Sequence, residues 1–180
     1  MINHDAFSNG QIASKLWLCE ELENLNWSSH ITHIYGGWYG ITAFLLLSRG
    51  KFQVNNIKSF DIDPDCESIA DMINNNWVFQ NWKFKAYTKD CNTPFDGDYD
   101  LIINTSTEHF ETLDWFNFIP NGTRVILQGN NMPHDDHHVH SKSLSEFMAT
   151  YPLSKINYTG KKDFQYDTWG FTRYMVIGIK

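Results

Sequence analysis

The stretch His33-Ile34-Tyr35-Gly36-Gly37-Trp38-Tyr39-Gly40, followed 21 residues later by Asp61 in Ser59-Phe60-Asp61-Ile62-Asp63-Pro64, decides the fold. Its apolar lead-in predicts a strand, its three glycines a sharp turn, and Ile41–Ser48 a helix. Ile57–Ile62 then predicts a second strand ending in a carboxylate. Glycine suits a turn whose backbone passes close to a ligand, because a Cβ would block the approach. A carboxylate at the tip of the next strand is placed to accept hydrogen bonds from the two ribose hydroxyls of an adenosine-containing cofactor. Plainer roles compete: the glycines could form only a structural turn, and Asp61 could cap the following helix. Asp63 and Asp65 are better placed as caps, which leaves Asp61 for the ribose.

Outward from that core, strands and helices alternate. Ile12, Leu16, Cys19 and Leu22 recur at helical spacing and predict an N-terminal helix from about Ala6 to Leu25. The first strand is expected over Ile31–Tyr35. Pro64 and Asp65 open a helix over Cys66–Asn75. Trp82–Thr88 is a strand running toward Asp90, and Tyr99–Asn104 is a nearly continuous apolar strand of the buried parallel kind. A short helix near Leu113–Phe118 stops at Pro120, Thr123–Gln128 is a strand, and Ser143–Thr150 is a helix ending before Pro152. Lys155–Thr159 and Phe171–Ile179 lack room for a crossover helix, so they predict an antiparallel hairpin at one edge. The fold expected is α/β: a Rossmann-like doubly wound sheet, mostly parallel, with an antiparallel C-terminal hairpin. One domain is expected over residues 1–180, with residues 1–30 forming a helix that covers the cofactor side.

Composition agrees with a globular enzyme-sized domain. The chain has 180 residues, 42% of them apolar, and 16% aromatic. No apolar run reaches membrane-spanning length, and Met1-Ile2-Asn3-His4-Asp5 lacks the basic start of a signal peptide, so a cytoplasmic location is expected. Cys19, Cys66 and Cys91 are odd in number and form no CxxC pair, which fits reduced thiols. A formal net charge of −7 argues against a broad grip on nucleic acid.

Five parallel strands, a glycine turn after the first, an acid after the second and an antiparallel strand at the end resemble the class I S-adenosylmethionine-dependent methyltransferases. The resemblance spans roughly Ile31 to Lys180. It implies S-adenosyl-L-methionine as cofactor, with Gly36, Gly37 and Gly40 under its methionine part and Asp61 at its ribose. It also implies Asp90, after strand three, at the adenine amino group, and the end of strand four, Asn104 to Ser106, facing the reactive methyl. Two positions depart from the family pattern. Ile34 stands where an acid is usual, and Trp38 replaces the middle glycine. Leu101–Phe110 and Val125–Met132 are also similar to stretches of small stand-alone methyltransferase-like proteins in phage genomes, which would put the chain in host cytoplasm.

Further candidates flank this frame. Lys15 lies between Cys19 and Leu22 on the apolar side of the first helix. It either snorkels to solvent or, with Ser14, covers the pocket and pairs with the cofactor carboxylate. Trp38 either joins the core or walls the pocket. Glu108 and His109, in the polar run after a buried strand, could act as general base for an acceptor that loses a proton on methylation; a helix start is the alternative. His134–His140 holds four histidines and two aspartates. The tract could bind a divalent metal, or line the substrate together with Gln128, Asn130 and Asn131; the second is expected, and no metal is assigned. The expected activity is methyl transfer to a small molecule or a side chain, since no inserted module offers macromolecular recognition. Cleavage of S-adenosylmethionine, aminopropyl transfer or a non-catalytic binding subunit are the alternatives. A nicotinamide oxidoreductase fits poorly because the G-x-G-x-x-G spacing is absent.

Overall fold

In the computed structural model, which describes residues 2–95 and 97–180, the chain folds around one seven-stranded sheet. Met1, the first residue of the N-terminal stretch read above, lies outside the described residues, as does Asp96. The strands are β1 (Ser28–Tyr35), β2 (Gln53–Asp61), β3 (Phe84–Thr88), β4 (Leu101–Asn104), β5 (Arg124–Asn130), β6 (Lys155–Gln165) and β7 (Gly170–Ile179), in the spatial order β3-β2-β1-β4-β5-β7-β6. β1 to β5 are mutually parallel; β7 is antiparallel to β5 and to β6. The helices are α1 (Asn9–Asn24), α2 (Ile41–Arg49), α3 (Pro64–Ile73), α4 (Asn75–Val78), α5 (Asp114–Asn117) and α6 (Leu144–Thr150).

Alternate residues of the central strands feed two cores, as a sheet covered on both faces requires. Ile34, Leu101, Ile103 and Ile126 pack with Leu18, Leu22, Ala43 and Leu46 from α1 and α2. Tyr35, Ile102, Val125 and Leu127 pack on the opposite face with Trp115, Phe147 and Tyr151. Strand order reverses between β1 and β4, which opens a crevice at their carboxyl ends. That is where open α/β sheets bind ligands.

Several boundaries differ from expectation. The N-terminal helix is broken, because Ala6 belongs to a 3-10 turn (His4–Phe7) and Ser8 turns extended to cap α1 through the Gln11 N–H. β1 begins three residues early, at polar Ser28. The Asp100 carboxylate accepts from the backbone N–H groups of His30 and Ile31 there, and Ser28 pairs with Gln53. β6 runs about twice the expected length: Gly160–Gln165 lies beyond the expected strand end at Thr159, yet every residue of it pairs with β7. Asp63, as expected, caps α3 by accepting from the Asp65 N–H at 2.9 Å.

The glycine turn owes its shape to close packing. Gly37 donates its N–H to the Phe60 carbonyl, and a Cβ there would lie 1.9 Å from the Ser59 Oγ. Gly37→Ala is expected to cost about 1–3 kcal/mol by overpacking. Ser59→Ala, nearly neutral alone, should recover most of that loss in the double variant. A denaturant-unfolding double-mutant cycle measures this, and strictly additive costs would contradict it.

Candidate functional site

A cavity of about 820 Å³ opens at the carboxyl edge, roofed by the segment before α1 and by the loop after β5. Its size falls in the range of ordinary small-molecule clefts, roughly 300–1,000 Å³. The turn after β1 forms one wall through Gly36 and Trp38. Gly36 has φ 60° and Trp38 φ 48°, both in the left-handed region. Glycine adopts it freely, whereas a tryptophan there costs roughly 1–2 kcal/mol. Trp38 is held by stacking on Tyr39, with ring centroids 5.0 Å apart, and by its N–H, which donates to Asp61 Oδ2 at 2.8 Å.

Asp61 therefore has two jobs within the chain. Oδ2 ties down the turn and Oδ1 accepts from the Asp63 N–H at 3.1 Å, while the carboxylate still lines the cavity. Burial raises its pKa above the usual aspartate value, opposed by these N–H donors. Asp90 also lines the cavity, with Oδ1 accepting from the Asn92 N–H in a local turn. Cys66 and Cys91 stand in the same wall as buried thiols, each pushed up to about 12 chiefly by burial. They are protonated packing groups rather than nucleophiles.

Five expected residues sit behind the wall instead of on it: Lys15, described below, and four that belong to the glycine turn and the strand ends. Gly37 packs against Ser59, and Gly40, at φ 71°, packs against Asn74 and Ala70 of the α3 region. Asn104 is fully buried and uses Oδ1 to accept the Ser106 N–H, which shapes the exit of β4. Asn131 is exposed and extends the strand pairing, its N–H donating to the Thr172 carbonyl and its Oδ1 accepting the Thr172 N–H. These four shape the site from outside the cavity lining.

The opposite wall gathers charge. Glu108 is only 2% exposed, on a 3-10 turn (Thr107–His109) rather than a helix of any length. Its Oε1 accepts from Asn130 Nδ2 and lies 3.7 Å from Arg173 Nη1. Its Oε2 is buried without a partner among the described residues. The loop after β5 docks on the same residue, since the His138 and Val139 N–H groups both donate to the Glu108 carbonyl. This brings His137 beside His109, with ring centroids 4.7 Å apart. Lys15 does not snorkel. It is 7% exposed, with Nζ donating to Gln11 Oε1, and burial lowers it to about 7, helped by Arg173 and opposed by Glu108 and Asp5. Ser14 Oγ turns to the Gln11 carbonyl, while the Ser14 carbonyl accepts from Gln128 Nε2 and so pins α1 to β5.

Arg173 and His137 escaped the sequence analysis as individual residues. Arg173 is a lone cation in the otherwise uncharged run Phe171–Ile179, and its strand register faces it toward the cavity with Nε unpartnered among the described residues. That isolated charge in a buried strand was the available signal. His137 was noticed only as one of a tract.

No family model and no curated protein matches the sequence. Solved structures do match the fold. YcgJ from Bacillus subtilis is 16% identical with a TM-score of 0.67, over 93% of this chain and 98% of that one. The N-methyltransferase NodS from Bradyrhizobium japonicum is 10% identical at 0.69, over 96% and 99%. Magnesium protoporphyrin IX methyltransferase from Synechocystis, solved with bound S-adenosylmethionine, is 14% identical at 0.69, over 99% and 85%. The chain thus has the class I methyltransferase fold.

Proposed function

We propose that this chain binds S-adenosyl-L-methionine and transfers its methyl group to a small molecule or an accessible side chain. The observation that carries this reading is Asp61: it lies at the tip of β2, braces the Gly36–Trp38 turn, and still opens its carboxylate to the cavity. A ribose diol there would donate two charge-assisted hydrogen bonds to it. Asp90 and Trp38 line the same cavity, and we assign them to the adenine amino group and to an aromatic wall beside the cofactor. Arg173 is a cation of the cavity wall and suits the carboxylate of the cofactor's methionine part, with Lys15, packed behind that wall, as the second candidate.

The sulfonium methyl is reactive by itself, so the protein's task is alignment in a water-poor pocket. Glu108 and His109 border the same cavity from the end of β4. For an acceptor that carries a proton, His109, exposed and next to the buried carboxylate, is the group that removes it.

Calorimetric titration with S-adenosylmethionine and S-adenosylhomocysteine, followed by chromatography of the mixtures, tests the proposal. The expected result is binding of both without breakdown. Release of methylthioadenosine without an acceptor would replace methyl transfer by cleavage chemistry, and failure to bind either would remove the reading altogether.

A further inference from the structure

The geometry points to a divalent transition-metal site formed by Glu108, His109 and His137 on the acceptor wall of the cavity. One potential ligand atom from each of these residues lies within 4.8 Å of those of the other two. Zinc bonds of about 2.1 Å hold tetrahedral ligands ~3.4 Å apart, so a closure of roughly 1 Å completes the set. His109, which is exposed, is free to supply that movement.

Three independent features support an ion here. First, Glu108 Oε1 is already engaged by Asn130 and Arg173, whereas Oε2 is buried with no partner among the described residues. A buried carboxylate oxygen with nothing opposite it is rare in a folded protein, and a cation supplies what is missing. Second, His137 Nδ1 lies 2.8 Å from the Met132 carbonyl. Donation to that carbonyl fixes the tautomer and leaves Nε2 as a lone-pair ligand, the usual outer-shell arrangement of a metal-binding histidine. Third, the Glu108 carbonyl anchors the loop that carries His137, so the ligands from β4 and from the loop after β5 are held in register by backbone hydrogen bonds.

Two imidazoles and one carboxylate suit zinc or another late first-row ion better than magnesium, which prefers oxygen donors. Three protein ligands leave open coordination positions, and all three residues line the cavity. With His109 bound to it, the ion rather than that imidazole would promote loss of the acceptor's proton, by holding its oxygen and lowering the pKa of a bound hydroxyl. This last role rests on the methyl-transfer reading; the metal site itself does not. In sequence, the spacing of histidines in a loop is not diagnostic of a metal, and such tracts are commonly solvated. It is the docking of that loop on Glu108 that singles out one of its four histidines.

The test uses the whole protein, stripped with a chelator and titrated with Co²⁺ and Zn²⁺ in the absence of any cofactor. One equivalent is expected to bind, with visible Co²⁺ bands of four- or five-coordinate intensity that shift when acetohydroxamate is added. His109→Ala, a change at an exposed residue that should fold normally, is expected to weaken binding at least about tenfold, and Glu108→Gln likewise. Replacing His134, His138 and His140 together by alanine should leave it unchanged. Absence of binding at micromolar metal would overturn the site, as would binding that survives His109→Ala but disappears in the triple variant. A protein that binds metal but not S-adenosylmethionine would refute the cofactor reading and leave the metal site standing.

Discussion

Asp61→Ala is expected to weaken S-adenosylmethionine binding by about 10- to 100-fold, since it removes two charge-assisted ribose hydrogen bonds. The same change orphans the Trp38 and Asp63 N–H groups that the carboxylate now accepts from at 2.8 and 3.1 Å. Trp38 holds an unfavourable positive φ, so losing its tether should also lower stability by about 1–2 kcal/mol. Asp61→Asn separates the two effects. Its amide oxygen can still accept one of these N–H donors, whereas its NH₂ offers a ribose hydroxyl no second acceptor. Calorimetry with S-adenosylhomocysteine beside thermal melts reads both quantities. A folded Asp61→Ala protein with wild-type affinity would reduce Asp61 to a brace for the turn.

The frame of the molecule was legible where one local rule acted alone. The parallel run Leu101–Asn104, the Pro64 helix start and the terminal hairpin each follow from periodicity or from room for a crossover. Boundaries slipped where a distant partner decides them. Ser28 and Ser29 become strand because Asp100, 71 residues from Ser29, and the edge of β2 supply their hydrogen bonds. The polar half of β6 becomes strand because β7 lies beside it.

The site divides the same way. The glycine turn, Asp61 and Asp90 are visible in sequence because each sits next to the strand end that defines it. Glu108, His137 and Arg173 come from three separate strand ends, and only the sheet order β4-β5-β7 brings those ends side by side. A linear pattern cannot report that adjacency. Asn104 and Asn131 stand at the right strand ends, but each spends its Oδ1 on a backbone N–H and neither lines the cavity.

Lys15→Met is expected to have opposite effects on stability and on binding. A lysine lowered from 10.5 to about 7 by burial destabilises the native state wherever it must be charged. Below about pH 7 both folded and unfolded chains carry the proton, and the full penalty applies. Between about 7 and 10.5 the native chain has released the proton while the unfolded chain keeps it. Wild-type stability therefore rises with pH across that window. Methionine matches the stem of the side chain and carries no charge. The variant should accordingly be more stable at pH 6, by something on the order of 3–5 kcal/mol before the lost Gln11 bond is subtracted. That advantage should shrink steadily toward pH 10, which denaturant titrations at a series of pH values will show. A constant offset, or a loss of stability at pH 6, would mean that Lys15 is solvated rather than buried. A protein keeps so unfavourable a group when its charge has a partner at work, and the partner proposed here is the cofactor carboxylate. Binding of S-adenosylmethionine should therefore fall in the same variant that folds better. If affinity held while stability rose, the carboxylate would belong to Arg173 alone.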